Sequence, residues 1–168
     1  MPNTLTKAEN FDGRILGYTD IGLNEVHATL DLTTSYVVPT DEFSVAFTAP
    51  PSGNVSIDFQ IMYYMGSTGA GTLYAGLSTA NATSGYAALQ SYHEQVFEDT
   101  GARNGVTVVQ GAWTITGLTA GASTEYWIGF RTLSTAGTTA KLQWGGSSTN
   151  RYPDFIMKAT ALPASITT

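Results

Sequence analysis

The residues best suited to chemistry in this 168-residue chain are few and do not converge. His27 and His93 are its two histidines. His93-Glu94-Gln95-Val96-Phe97 begins like the HExxH zinc motif but puts Phe where the second histidine ligand belongs. The stretch also reads as a strand, in which positions i and i+4 lie about 13 Å apart, too far for one ion. Zinc needs three or four converging ligands, so no metal site is expected. Glu94, Glu98 and Asp99 come nearest to a carboxylate pair for glycoside chemistry. They fall in and beside an expected turn, where solvated carboxylates are the ordinary case. The sequence contains no Gly-x-Ser-x-Gly elbow, P-loop or dinucleotide fingerprint. It has no cysteine, which removes disulfides, zinc-thiolate sites and thiol nucleophiles together. The chain therefore reads as a non-enzyme with no catalytic residue and no cofactor.

The aromatic residues offer a different chemistry. Tyr64, Tyr74, Tyr86, Trp127 and Trp144 are more large rings than one small core accepts. One reading is core and rim packing. The other is an aromatic surface for subunit contact or sugar stacking, since Tyr and Trp combine an apolar body with a polar tip. Asn54-Val-Ser56 and Asn81-Ala-Thr83 match glycosylation sequons, but Met1–Asn10 lacks the apolar run of a secretion signal, so they are not expected to carry sugar.

The elements that must position these residues are strands. Asn54–Tyr64 is the strongest: Val55, Ile57, Phe59, Ile61 and Tyr63 recur at every second position, opposite Ser56, Asp58 and Gln60. A period of two is that of a strand with one buried face. Met62 and Tyr64 are apolar on the other phase, which predicts cover on both faces at that end. Pro50-Pro-Ser-Gly53 and Gly66–Gly71 bound it as turns. Similar alternation predicts strands at 14–18, 25–32, 43–47, 71–78, 92–97, 125–133, 141–144 and 154–162. Val106–Val109 and Trp113–Gly117 read as two more, joined or bent at Gln110-Gly111, because a glycine inside a strand pattern suggests a bulge.

Nine to eleven short strands without a convincing helix predict an all-β fold, an antiparallel β-sandwich. The strand number favours a jelly-roll-like arrangement over a seven-stranded immunoglobulin-like one. The expected organisation is an extended N-terminal arm over 1–24, one β-sandwich domain over 25–163 and a tail over 164–168. Charged residues make up 12%, about half the average, so much of the surface must be hydroxyl, amide and backbone. Such a surface suits flanks covered by copies of the same chain or by partners. The net charge of −6 is concentrated at the start: Glu9, Asp12, Asp20, Glu25, Asp31, Asp41 and Glu42 stand against Lys7 and Arg14. Phosphate contacts need clustered Lys and Arg, so nucleic acid is not an expected partner. No apolar run approaches the roughly 20 residues of a membrane helix, and membrane insertion is not expected.

Three stretches carry a resemblance. They are Phe47-Thr-Ala-Pro-Pro-Ser-Gly53, Gly117-Leu-Thr-Ala-Gly121 ahead of Tyr126-Trp-Ile-Gly-Phe130, and Leu142-Gln-Trp-Gly-Gly146 leading to Tyr152-Pro-Asp-Phe-Ile-Met-Lys-Ala-Thr-Ala-Leu-Pro163. Together, over roughly residues 43–163, they resemble small β-sandwich virion surface proteins of tailed bacteriophages, especially cyanophages. That resemblance implies a capsid decoration (cement) protein or a fibre head, made in the host cytoplasm and carried on the virion surface. In the first case the chain is expected to be a homotrimer on the major capsid protein, with Phe11, Arg14 and Ile15 as contact candidates. In the second it is expected to bind a cell-surface glycan through Tyr86, Trp144, Arg151 and Tyr152, alongside tail proteins. A carbohydrate-binding module is a further alternative.

Overall fold

A computed structural model describes residues 12–22, 28–66, 71–81, 94–99, 105–133, 139–146 and 151–165, with 28, 71, 94–99 and 139 as backbone alone. His27, His93, Phe11 and Tyr86 lie outside the described residues. The fold is all-β, and the described residues include no helix. The strands are β1 (Ile15–Ile21), β2 (Ala28–Asp31), β3 (Ser44–Thr48), β4 (Val55–Gly66), β5 (Gly71–Ser78), β6 (Glu94–Asp99), β7 (Gly105–Ile115), β8 (Ser123–Thr132), β9 (Thr139–Trp144) and β10 (Phe155–Ala161).

Their pairing follows one rule. The first strand pairs with the last, the second with the ninth, the third with the eighth, the fourth with the seventh and the fifth with the sixth, all antiparallel. The chain is thus one long hairpin of nested rungs, rolled up. Rolling adds the pairs β10–β4, β4–β9 and β5–β8. One sheet then holds β1, β10, β4, β9, β2 and β7, and the other runs β3-β8-β5-β6. With β2 and β9 set aside, β1-β10-β4-β7 faces β3-β8-β5-β6, the jelly-roll arrangement of an antiparallel β-sandwich. The twelve-residue β4 organises the first sheet. One edge of β4 pairs with β7 along its length; the other takes β10 on its first half and β9 on its second.

The alternation read from the sequence is the alternation of burial. On β4, Val55, Ile57, Phe59, Ile61, Tyr63 and Met65 are buried, and they meet Leu73, Ala75, Leu77, Tyr126, Ile128 and Phe130 from the opposite sheet. Each such side chain contributes about 1.5–3 kcal/mol of transfer free energy. Aromatic rings join the two layers. Phe43, just ahead of β3, stacks on Phe155 at 3.9 Å and meets the edge of Trp144 at 4.8 Å. Phe130 meets Phe43 and Phe59 edge-on, and Phe59 stacks on Trp113 at 5.1 Å. Met62 is buried on the outward phase of β4, as its second apolar phase predicts.

Several boundaries differ from the sequence reading. β7 is one continuous strand: Gly111 pairs with Phe59 in unbroken register and makes no bulge. The ring of Phe59, the partner of Gly111 across the ladder, stacks on Trp113. β6 runs to Asp99, which puts Glu98 and Asp99 in a strand where a turn was expected, because β5 starts at Gly71 and pairs with it there. The sandwich begins at Ile15, not at residue 25. β1 is bonded to β10 along its length, with an irregularity between Ile15 and Gly17, and it also lies against β3 of the other sheet. That approach depends on Gly17, where a Cβ would collide with the Ala46 carbonyl oxygen. The Thr19 hydroxyl donates to the Ser44 carbonyl across the same seam.

The start of β4 is tied to the end of the chain. Gly53 closes the Pro50 turn with φ 69° and donates its N–H to the Pro50 carbonyl at 2.9 Å. Asn54 is buried and its side-chain amide donates to the Pro163 carbonyl at 2.8 Å and the Ala164 carbonyl at 3.4 Å. The sequon asparagine is thereby a structural clamp, and Ala164 is held rather than loose.

Candidate binding face

The outward phases of β1, β10, β4 and β7 form one face, and the registers set its composition. Successive cross-strand rows read Thr114–Ser56–Thr160–Ile15, then Ala112–Asp58–Lys158–Tyr18, then Gln110–Gln60–Ile156–Asp20. Beyond these, where β9 and β2 take over, the rows read Val108–Met62–Gln143–Thr29 and Val106–Tyr64–Lys141–Asp31. A groove of about 660 Å³ lies across the first three rows, lined by Ile15, Tyr18, Gln60, Gln110, Ile156 and Lys158 among others.

Two properties of the face stand out physically. Several of its polar groups bond one another. Gln110 donates from Nε2 to Gln60 Oε1 at 2.8 Å. Lys158 pairs with Asp58 at 3.8 Å, and Asp58 also accepts the Ser56 hydroxyl at 3.1 Å. Lys141 pairs with Asp31 at 3.1 Å. Four of its large apolar side chains, by contrast, are open. Ile15 and Val106 are each 60% exposed, Tyr18 53% and Val108 45%. Among the described residues only Leu133 shares that class of exposure elsewhere. At the rim, partial desolvation and then the Asp154 carboxylate push the Asp20 carboxyl above its ordinary value of 3.8.

The outer face of the second sheet has a different character. Arg131 sits between two rings, 3.7 Å from the Tyr74 centroid and 5.1 Å from that of Tyr36. The stack helps hold the 33–38 segment, whose Val37 bridges to Phe130, against β8.

The residues singled out from the sequence are not gathered in one place. Ile15 lines the groove and Arg14 is exposed just before it. Phe11 and Tyr86 lie outside the described residues. Trp144 is a correction: it is 4% exposed and packed on Phe43, so it presents no ring face to a sugar. Its place on the inward phase of β9 follows from strand alternation, since it lies two residues from buried Leu142 on the same side. Arg151 is exposed and bridges to Gly146, while half-buried Tyr152 donates its N–H to the Gly145 carbonyl at 2.9 Å. Both serve the base of the loop between β9 and β10. Of the other aromatic candidates, Tyr64, Tyr74 and Trp127 are half-buried on outer faces. Tyr18, Gln60, Gln110, Lys158, Val106 and Val108 were not singled out. The polar phase of β4 hinted at Gln60, but the register that sets it beside Gln110 joins segments fifty residues apart.

No family model matches this chain, and no curated protein matches it.

Proposed function

We propose that this chain is a virion-surface protein of a tailed bacteriophage, a capsid decoration protein that assembles as a homotrimer on the major capsid protein. The observation that carries the reading is two pairs of exposed apolar residues, Ile15 with Tyr18 on β1 and Val106 with Val108 on β7, at opposite edges of one outer sheet face. Large exposed apolar side chains at both edges of one face support a surface made for association. Arg14, at the entrance to β1, is the described residue assigned to the capsid side, together with Phe11 ahead of it. Each trimer would link neighbouring capsomers, and symmetry would turn modest single-site contacts into avidity against internal pressure.

The test is imaging of virions of the encoding phage with this protein tagged at Thr168. Regular positions over the head are expected. Signal confined to the tail, or no signal, would overturn the decoration reading. The groove favours a second reading, a fibre head that binds a host glycan. Its volume of about 660 Å³ lies in the range of small-ligand sites, and Tyr18 stands in it beside Gln60 and Gln110. A carbohydrate-binding module would use the same chemistry. Tail-tip signal, with adsorption lost on Tyr18→Ala, is the result that reading requires.

A further inference from the structure

We infer that the occupant of the outer face of β1-β10-β4-β7 is a second copy of this chain. The inference rests on the association reading above and names the partner of that face.

Charge is the first argument. The chain carries a net charge of −6, so two copies repel unless they meet through neutral surface. The charged rows of this face cancel internally, through Asp58 with Lys158 and Asp31 with Lys141. Asp20 stands at the rim, where desolvation first and the Asp154 carboxylate second disfavour its ionised form.

Hydrogen bonding is the second. The two glutamines bond each other, and Asp58 is engaged by both Lys158 and Ser56. Each bond made inside the face is one that a covering protein need not supply, which lowers the cost of burying these groups.

Extent is the third. The apolar residues continue past the groove to Val108 and Val106 near the far end of β7, farther than one or two sugar rings reach. With β9 and β2 continuing the rows of β10 and β1 along β7, four strands about 4.8 Å apart and eleven residues about 3.3 Å each span roughly 19 by 36 Å, or about 700 Å². Each partner in a standard stable interface contributes about 800 Å². The face is large enough for a specific contact between copies.

Sedimentation of the purified full-length chain tests this. The wild type is expected at a multiple of its single-chain mass. Ile15→Glu combined with Val108→Glu should shift it to the single-chain mass with the circular dichroism spectrum unchanged. Leu133→Glu, an exposed apolar position off the face, should leave the assembly intact. A wild type that stays at the single-chain mass overturns the inference, and so does a folded double variant that stays assembled. Should the double variant fail to fold, hydrogen exchange of the wild type decides. Protection of β1 and β7 must rise with protein concentration, and concentration-independent exchange there overturns the inference. The virion reading fails separately: a stable assembly never found on virions sinks that reading alone, whereas a single-chain species decorating heads sinks this inference and the homotrimer with it, and leaves the location on the head standing.

Discussion

Trp144 shows how one residue type serves opposite roles according to its phase. In sequence it is an aromatic beside a glycine-rich loop, a fair candidate for stacking on sugar. In the fold it is a core ring against Phe43. Trp144→Ala is expected to destabilise by about 3–5 kcal/mol, which for a domain of this size lowers the melting midpoint by roughly 6–20 °C. Arg151→Ala, at an exposed position seven residues on, should change stability by no more than about 0.5 kcal/mol. Thermal scans of the two variants check this, and equal effects would contradict the core assignment.

Asp20 provides a pH test at the same scale. Its carboxyl titrates above the ordinary 3.8 through desolvation first and Asp154 second. A folded-state pKa above the unfolded one means that the charged form is disfavoured by folding. The penalty is complete above the folded pKa and is relieved as pH falls through it toward 3.8. Asp20→Asn should therefore raise the melting midpoint at neutral pH, and its advantage should shrink as the solution is acidified through that window. An advantage that grows on acidification would reverse the assigned direction.

Turns and strand approaches act at the scale of elements. Gly53 and Gly117 both hold positive φ, at 69° and 75°. They differ in surroundings. A Cβ at 53 would lie 2.5 Å from the Leu118 carbonyl oxygen, whereas one at 117 meets nothing within 4 Å. Gly117→Ala should cost only the left-handed backbone term, about 1–2 kcal/mol. Gly53→Ala adds a backbone collision between the β3–β4 turn and the β7–β8 connection, and about 2–4 kcal/mol in total is expected. Urea titration of both variants measures the difference. Gly17 belongs with Gly53: its lack of a Cβ lets β1 lie against β3 and close the seam between the sheets. Gly111 is the contrasting case, a glycine that reads as a bulge and instead sits in unbroken register with Phe59.

At the scale of the whole molecule, the nested rungs set both folding and assembly. β1 pairs with β10, bringing Ile15 opposite Thr160, and among the described residues only β5–β6 joins strands adjacent in sequence. Such non-local pairing requires large loops to close before contacts reward the closure. Refolding followed by tryptophan fluorescence is expected in the millisecond-to-second range. Microsecond refolding would contradict the nested order. The same wrapping places four distant segments side by side on the outer face, and so creates the surface assigned to self-association.

Much of the fold was legible in the residues themselves. The period of two in Val55–Tyr63, Tyr126–Phe130 and Phe155–Ala161 determined which side chains are buried, because alternation is a local property of a strand. Pro50–Gly53 and Gly117–Gly121 marked turns for an equally local reason, the backbone angles those residues permit. Neither kind of signal reports which strand lies beside which. Registers between distant segments decided that Asp58 neutralises Lys158, that Gln60 bonds Gln110, and that Ile15 and Tyr18 share a face with Val106 and Val108. That Trp144 turns inward was by contrast a local matter, since it follows Leu142 by two residues on β9. A face is a property of several strands at once, and only the rolled hairpin brings these together.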